Sequence, residues 1–374
     1  MNWQGHLIKT KADALKIPIT KLAKQLGVSR QAVNDWIKGQ IPKGMHIISL
    51  CKILGLKPDE LFGVNEDKSI VPKPLYRKRG TAKENEETNQ LALELAEEYK
   101  MLFKNCNLPH FVPVERSGER SVEAAKIIAK KLREQSGVQS DNPMTYEQAF
   151  QLLDNLGIFV IFREFPTAVK CYAFYTKIND HRIIFVNKSD NILDVIFQLL
   201  HESVHALRDE LNIPVDRYAE EDTFCDLVAS YAQFPQNYIE KIYQSIRDIK
   251  TKSQLLKSLR SFGSINGHVT YGVVKRILEI DKNLKINVGD AAKTDHLLRK
   301  QYPTLIDIFN DAKTARDYID LYKELSPNFI TLLSLNMENI SERKLGEYLE
   351  LSNPSDIREI KEELAYKVKE LALN

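Results

Sequence analysis

Apolar residues recur at helical spacing through most of the chain and at strand spacing in one short central region. In 19-ITKLAKQLGVSRQAVNDWIKGQ-40, Leu22, Ala23 and Leu26 share one face of a helix. Val33, Trp36 and Ile37 share one face of a second. Gly27 between them permits left-handed backbone and hence a reversal, and Ser29 stands where a helix takes its N-cap. The small Ala23 lets the second helix approach the first. A preceding helix around 6–16 and two closing helices within 46–62 complete a small all-α unit.

Periodicity then lapses. Residues 63–90 carry Pro, Gly and charge of both signs, including the triplet Arg77, Lys78, Arg79, and predict a linker. Helical spacing resumes from 91, again over 121–135 behind the cap residue Ser121, and over 145–157 up to Gly157. Three β-rich runs follow, 158–165, 170–176 and 182–187, with Asn179-Asp180 as a turn before the third. A helix starts near Asp190–Asn191, another spans 218–235, and the remainder is mostly helical. The pattern predicts a multidomain, mainly α chain: an all-α unit at 1–65, a linker at 66–90, a small α+β unit at 91–284 and a helical carboxyl-terminal region at 285–374.

Composition narrows the class. With 43% hydrophobic and 28% charged residues, the 374-residue chain reads as soluble and folded, and it is too long for one small core. It has no run of about 18 apolar residues and no signal-peptide pattern at its start, so no membrane partner is expected. Cys51, Cys106, Cys171 and Cys225 are scattered, which suggests neither a disulfide framework nor a CxxC zinc pattern and fits a cytoplasmic location. Charge is uneven. Residues 1–80 hold fifteen Lys/Arg against six Asp/Glu, an excess of nine, whereas the whole chain nets +2. That asymmetry points the amino end at nucleic acid.

The spacing in 19–40 and its flanking helices resemble the helix-turn-helix of the phage-repressor (Cro/cI-like, or XRE) family. The resemblance implies that the second helix enters the major groove of double-stranded DNA. Ser29, Arg30, Gln31 and Asn34 would then face the bases, and Lys38, with Lys21, Lys24 and Lys43, the phosphates. The plainer alternative is a helical bundle for protein contact with a solvated polar face.

The stretch 197-FQLLHESVHALRDE-210 carries the candidate chemistry. His201 and His205 lie four apart on one helical face and can direct two imidazoles at one point, with Glu202 about 100° round the helix. Two neutral imidazoles of this kind hold Zn²⁺, which lowers the pKa of bound water towards about 7, and a glutamate takes the proton. A half-buried His pair satisfied by hydrogen bonds fits the same five residues. Two features favour a site. The helix over 193–207 is apolar on nearly every side, where polar groups are costly unless paired. An acidic helix, 218-YAEEDTFCDLVASYAQFP-235, follows with Asp222 and Asp226 four apart: one suits a third ligand and the other an acceptor for an imidazole N–H.

These segments, with 183-IIFVN-187 upstream, resemble the ImmA/IrrE family of metallopeptidases over roughly residues 120–280. The family motif is typically FTLAHELGH, then ExxANxFAxxLLMP. The resemblance implies a gluzincin-like (zincin-like) α+β domain that cuts DNA-binding repressors and so switches on phage, mobile-element or stress genes. It assigns His201, His205 and Asp222 to Zn²⁺, Glu202 to general-base catalysis and Asp226 to orienting an imidazole. The usual third ligand is Glu. Asp222 is one methylene shorter, so the helices must sit closer or Glu221 must substitute. His268 or Tyr271, in 268-HVTYGVVKRILEI-280, would stabilise the oxyanion. Strand 182–187 is expected at a sheet edge, holding substrate by β-addition. The rival expectation is a DNA-binding, toxin–antitoxin or phage-defence regulator with an inactive peptidase-like domain. The amphipathic carboxyl-terminal region suggests protein contact, in the simplest case a homodimer.

Overall fold

The computed structural model describes residues 3–56, 61, 75–78, 86–104, 106, 108, 113–169, 171–209 and 217–373. The chain divides into two units, Met1–Ile70 and Val71–Asn374. In the first, α1 (His6–Ala14), α2 (Ile19–Leu26), α3 (Arg30–Ile37) and α4 (Gly44–Leu54) pack around Ile8, Ala12, Leu22, Ala23, Val33, Trp36 and Leu50. Gly27 ends α2 at φ +66°, and Ser29 Oγ accepts from the Ala32 N–H at 3.1 Å to open α3. Trp3 Nε1 donates to the Trp36 carbonyl at 2.7 Å and ties the amino end to α3. Most of the second expected closing helix lies outside the described residues.

The second unit is mainly helical around a small mixed sheet. Its strands are β1 (Leu75–Lys78), β2 (Phe159–Arg163), β3 (Cys171–Ile178) and β4 (His181–Asn187), in the order β1-β3-β4-β2. β3 and β4 form an antiparallel hairpin whose turn residues, Asn179 and Asp180, adopt φ of +49° and +67°, the left-handed pair that favours two-residue hairpins. β2 joins β4 in parallel, with Phe159 opposite Ile183, and β1 joins β3 antiparallel. β4 is paired along both edges, by β3 and β2, and its side chains are buried along its length. It is therefore not the exposed edge expected of 182–187. The stretch expected to be a linker, 66–90, lies partly outside the described residues. Where described, it contributes β1 and the first turns of α5 (Glu86–Phe103).

Side-chain caps set the helix starts. Ser121 opens α6 (Val122–Ser136), and Thr145 with Gln148 forms a capping box on α7 (Tyr146–Asn155). Asn191 Oδ1 accepts from the Leu193 N–H at 3.1 Å to open α8 (Ile192–Arg208). Helix α8 packs on β3 and β4 and against α9 (Tyr218–Gln233), which also lies on α6. Nearly every residue of α8 is buried, as its apolar pattern requires.

The expected boundary at 284/285 does not divide the packing. α10 (Gln236–Ile246), α11 (Lys252–Asn266), α12 (Thr270–Ile280) and α13 (Val288–Arg299) enclose a second core of Ile239, Ile242, Leu255, Val274, Ile277 and Ala291. The chain then returns to the sheet. α14 (Leu305–Asp311), α15 (Ala315–Leu325), α16 (Pro327–Leu335), α17 (Glu342–Leu349) and α18 (Pro354–Leu373) place Leu305, Tyr322, Phe329, Leu345 and Leu364 in the same core as the strands. Ser326 Oγ donates to the Val160 carbonyl of β2 at 2.5 Å, and Tyr99 OH of α5 to the Tyr348 carbonyl of α17 at 3.0 Å. A chain ending at 284 is expected to lose the cooperative unfolding of its second unit, since the sheet would be left without these helices. Retention of the parent unfolding midpoint by that truncated chain would show the boundary to be a true domain border.

Candidate functional site

Helix phase decides which groups meet between α8 and α9. His201 and His205 project from one face of α8, and Asp222, Cys225 and Asp226 from the facing side of α9. His201 Nε2 lies 3.1 Å from His205 Nε2 and 3.1 Å from Asp222 Oδ1, and His205 Nε2 lies 3.5 Å from the same oxygen. His201, His205 and Asp222 are the one His/Cys/Asp/Glu cluster among the described residues with metal-ligand proximity. A tetrahedral ion with bonds of about 2.0–2.1 Å has ligand–ligand edges of about 3.3 Å. The three sides of the observed triangle all lie close to that edge length.

The surrounding bonds set the protons. His201 Nδ1 donates to Asp226 Oδ1 at 2.9 Å, which leaves Nε2 as the lone-pair nitrogen of the neutral ring. His205 Nδ1 lies 3.5 Å from Cys225 Sγ. The Nε2 lone pair of His201 therefore faces a carboxylate oxygen and a second imidazole nitrogen, and a cation shared among them, a proton or a metal, would stabilise the arrangement. With a proton there, burial opposes the charge on His201, but the Asp222 and Asp226 carboxylates override it and raise its pKa to about 9. Burial holds His205 below its ordinary value, helped by the charge on His201. The two imidazoles hold Asp222 well below the usual carboxylate range despite its burial.

Glu202 is fully buried, and its Oε2 accepts from the Tyr175 N–H of β3 at 3.0 Å. Glu221 does not face the histidines. Arg208 binds both of its carboxylate oxygens, and Arg120 Nε donates to Oε2 at 2.7 Å. These two cations keep it ionised against the pull of burial. One helical position, about 100°, separates Asp222 beside the imidazoles from this buried ion pair. Reading the sequence did not find Arg208; the available signal was an arginine ending an otherwise apolar helix.

His268 lies elsewhere. It is fully buried in the second core, where its Nδ1 donates to the Val269 carbonyl at 3.0 Å and its Nε2 accepts from Tyr238 OH at 2.5 Å. It is a packed histidine, not an oxyanion donor. Tyr271 is half-exposed, and its backbone N–H donates to Asp295 Oδ2 at 3.0 Å.

In the first unit Ser29, Arg30, Gln31 and Lys38 are exposed and Asn34 is half-buried, with Lys21, Lys24 and Lys43 also at the surface. Ser29 commits its oxygen to the α3 cap, and Gln31 Nε2 donates to Asp35 Oδ1 at 2.8 Å, a bond that base contact would have to exchange.

Burial lowers the His268 pKa from 6.5 to about 4. The folded state thus keeps the ring neutral where the unfolded chain takes up a proton, so stability is complete above about 6.5 and falls as pH drops towards 4. The expected loss is about 3 kcal/mol over that window. Denaturant unfolding of the second unit at pH 7 and pH 4.5 should show a smaller drop for His268→Gln than for the parent. Equal drops would place the pH sensitivity in other groups.

A family model described as Helix-turn-helix matches residues 8–61. No curated protein matches the chain in sequence. The first unit therefore carries a helix-turn-helix DNA-binding domain of the XRE type, formed by α1 to α4 and the residues that follow up to 61.

Proposed function

We propose that the chain joins this DNA-binding domain to a zinc-dependent endopeptidase whose substrate is a protein, in the expected case a repressor. One observation supports the reading: two imidazole nitrogens and a carboxylate oxygen lie 3.1–3.5 Å from one another, at metal-ligand spacing. The resemblance of the HExxH segment and of the helix after it to ImmA/IrrE peptidases agrees with that geometry.

His201, His205 and Asp222 would hold the ion, which supplies Lewis acidity and an acidified water. Asp226 fixes the His201 ring and its tautomer through Nδ1–H. Glu202 is positioned by the Tyr175 N–H through Oε2. Its other oxygen takes a proton from water and returns it to the leaving amine. Elemental analysis of protein purified without chelator is expected to find about one zinc per chain, lost in His201→Ala and in Asp222→Ala but kept in Glu202→Gln. A parent that holds no zinc and cannot be loaded with it would sink the proposal.

A second reading, a DNA-binding regulator whose peptidase-like domain cuts nothing, is favoured by the complete burial of Glu202. New protein amino-termini that appear in cells with the parent but not with Glu202→Gln separate the two. On the DNA side, Arg30→Ala is expected to weaken binding by about 1–3 kcal/mol and relax base preference. Lys38→Ala should instead weaken all sequences alike and reduce the salt dependence, as measured by gel shift across a salt series.

A further inference from the structure

We propose that the outer edge of β3 is a docking edge for an extended protein segment and that β1 is its internal occupant, an exchangeable strand that a partner's segment displaces. Strand β3 has two unequal sides. Along one, β4 pairs with it from Ala173 to Ile178 in an unbroken register. Along the other, β1 offers four residues, Leu75 opposite Tyr175, Tyr76 opposite Phe174 and Lys78 opposite Cys171, with the register shifting between Tyr76 and Lys78. Among the described residues, the broken register makes this side of β3 the less regular and more weakly held of the two. A strand edge takes up any extended chain through main-chain hydrogen bonds, so one segment can replace another without new side-chain contacts.

The position of this edge gives the exchange its meaning. Leu75 lies opposite Tyr175, the residue whose N–H holds Glu202 Oε2, and β1 also packs on α8, the helix that carries His201 and His205. A segment on β3 therefore runs directly past the candidate base. While β1 occupies the edge, a substrate segment cannot, so β1 restrains the site until it is displaced. β1 also follows closely on the boundary between the two units at Ile70–Val71. The restraining strand is thus close in the chain to the DNA-binding unit. Docking and exchange need no metal; only their bearing on catalysis rests on the function proposed above.

The test uses the full chain, a variant with proline at both 76 and 77 (Tyr76→Pro, Arg77→Pro), and a fluorescein-labelled peptide of residues 73–80 as probe. Proline removes main-chain donors, and β1 should leave the edge. Hydrogen exchange at 171–175 is expected to speed up in the variant and to slow again when the peptide is added. Fluorescence anisotropy should show the peptide binding the variant about tenfold more tightly than the parent, as for an edge that β1 covers about nine-tenths of the time. Both results should persist with His201→Ala added, which keeps this outcome separate from that of the zinc measurement. Equal exchange at 171–175 and equal peptide affinity in parent and variant would overturn the proposal. If the proline variant does not fold, Tyr76→Gly replaces it: a measurable gain in peptide affinity supports exchange, and an unchanged affinity overturns it.

Discussion

Helix α8 carries two imidazoles and a carboxylate into an apolar core, and the packing around it is organised by the need to satisfy them. His201 and Glu202 are fully buried and His205 nearly so. Unpaired, such groups would cost several kcal/mol together. Each finds its partner on a different element or position: His201 on Asp222 and Asp226 of α9, His205 on Cys225, and Glu202 on the backbone of β3. At the end of the same helix, Arg208 is matched by Glu221 and by the Ser117 carbonyl. The registration of α9 on α8, and of α8 on the sheet, is thereby set by polar contacts within an otherwise non-directional core. Hydrophobic burial supplies the driving force, and these contacts choose one arrangement from the many that would bury similar area.

The second unit closes around this helix from both ends of the sequence. The strands and α5 to α9 leave β2 and one side of α5 open, and α14 to α18 cover them after a detour through a separate helical core. The backbone at 188–192 and at 303–306 is joined where the chain returns: Leu305 N–H donates to the Asp190 carbonyl, and Ile306 N–H to that of Lys188. The start of α8 is anchored by the same return, since Asn191 Nδ2 donates to the Arg299 and Tyr302 carbonyls and Asp194 pairs with Arg299. The site and the carboxyl-terminal helices therefore share one folded body.

Local features were legible in the sequence because their causes are local. Ser29, Ser121, Thr145 and Asn191 cap the helices they precede, the three strands fall where apolar and β-branched residues cluster, and Asn179-Asp180 turns the hairpin. The i, i+4 pairs on α8 and α9 were legible for the same reason. Strand order was not. Nothing within 181–187 tells whether one edge or both are paired, and the partner strands come from 159–163 and 171–178. The choice between Glu221 and Asp222 turned on helix phase and on Arg120, which stands 101 positions from Glu221. His268 suits an oxyanion site by chemistry alone, and only the position of Tyr238 and Phe234 shows it satisfied within the second core. The boundary at 284/285 failed because a core is a non-local property that charge and amphipathic pattern do not report.

The shorter third group is matched by the shape of the helix that carries it. An aspartate reaches less far than a glutamate by one methylene, so α9 must lie closer to α8 for Asp222 to approach two imidazoles at once. The side of α9 that bears Asp222 continues with Cys225, Ala229 and Ala232, all buried and all small. Interaxial distance follows the size of the side chains at the contact, and small residues three, four and seven positions apart bring helices together. The same closeness puts Cys225 Sγ within reach of His205 Nδ1, a contact that a longer side chain on a more distant helix would forgo. Asp222 and the small residues behind it thus form one consistent solution, in which a short carboxylate on a closely packed helix reaches both imidazoles.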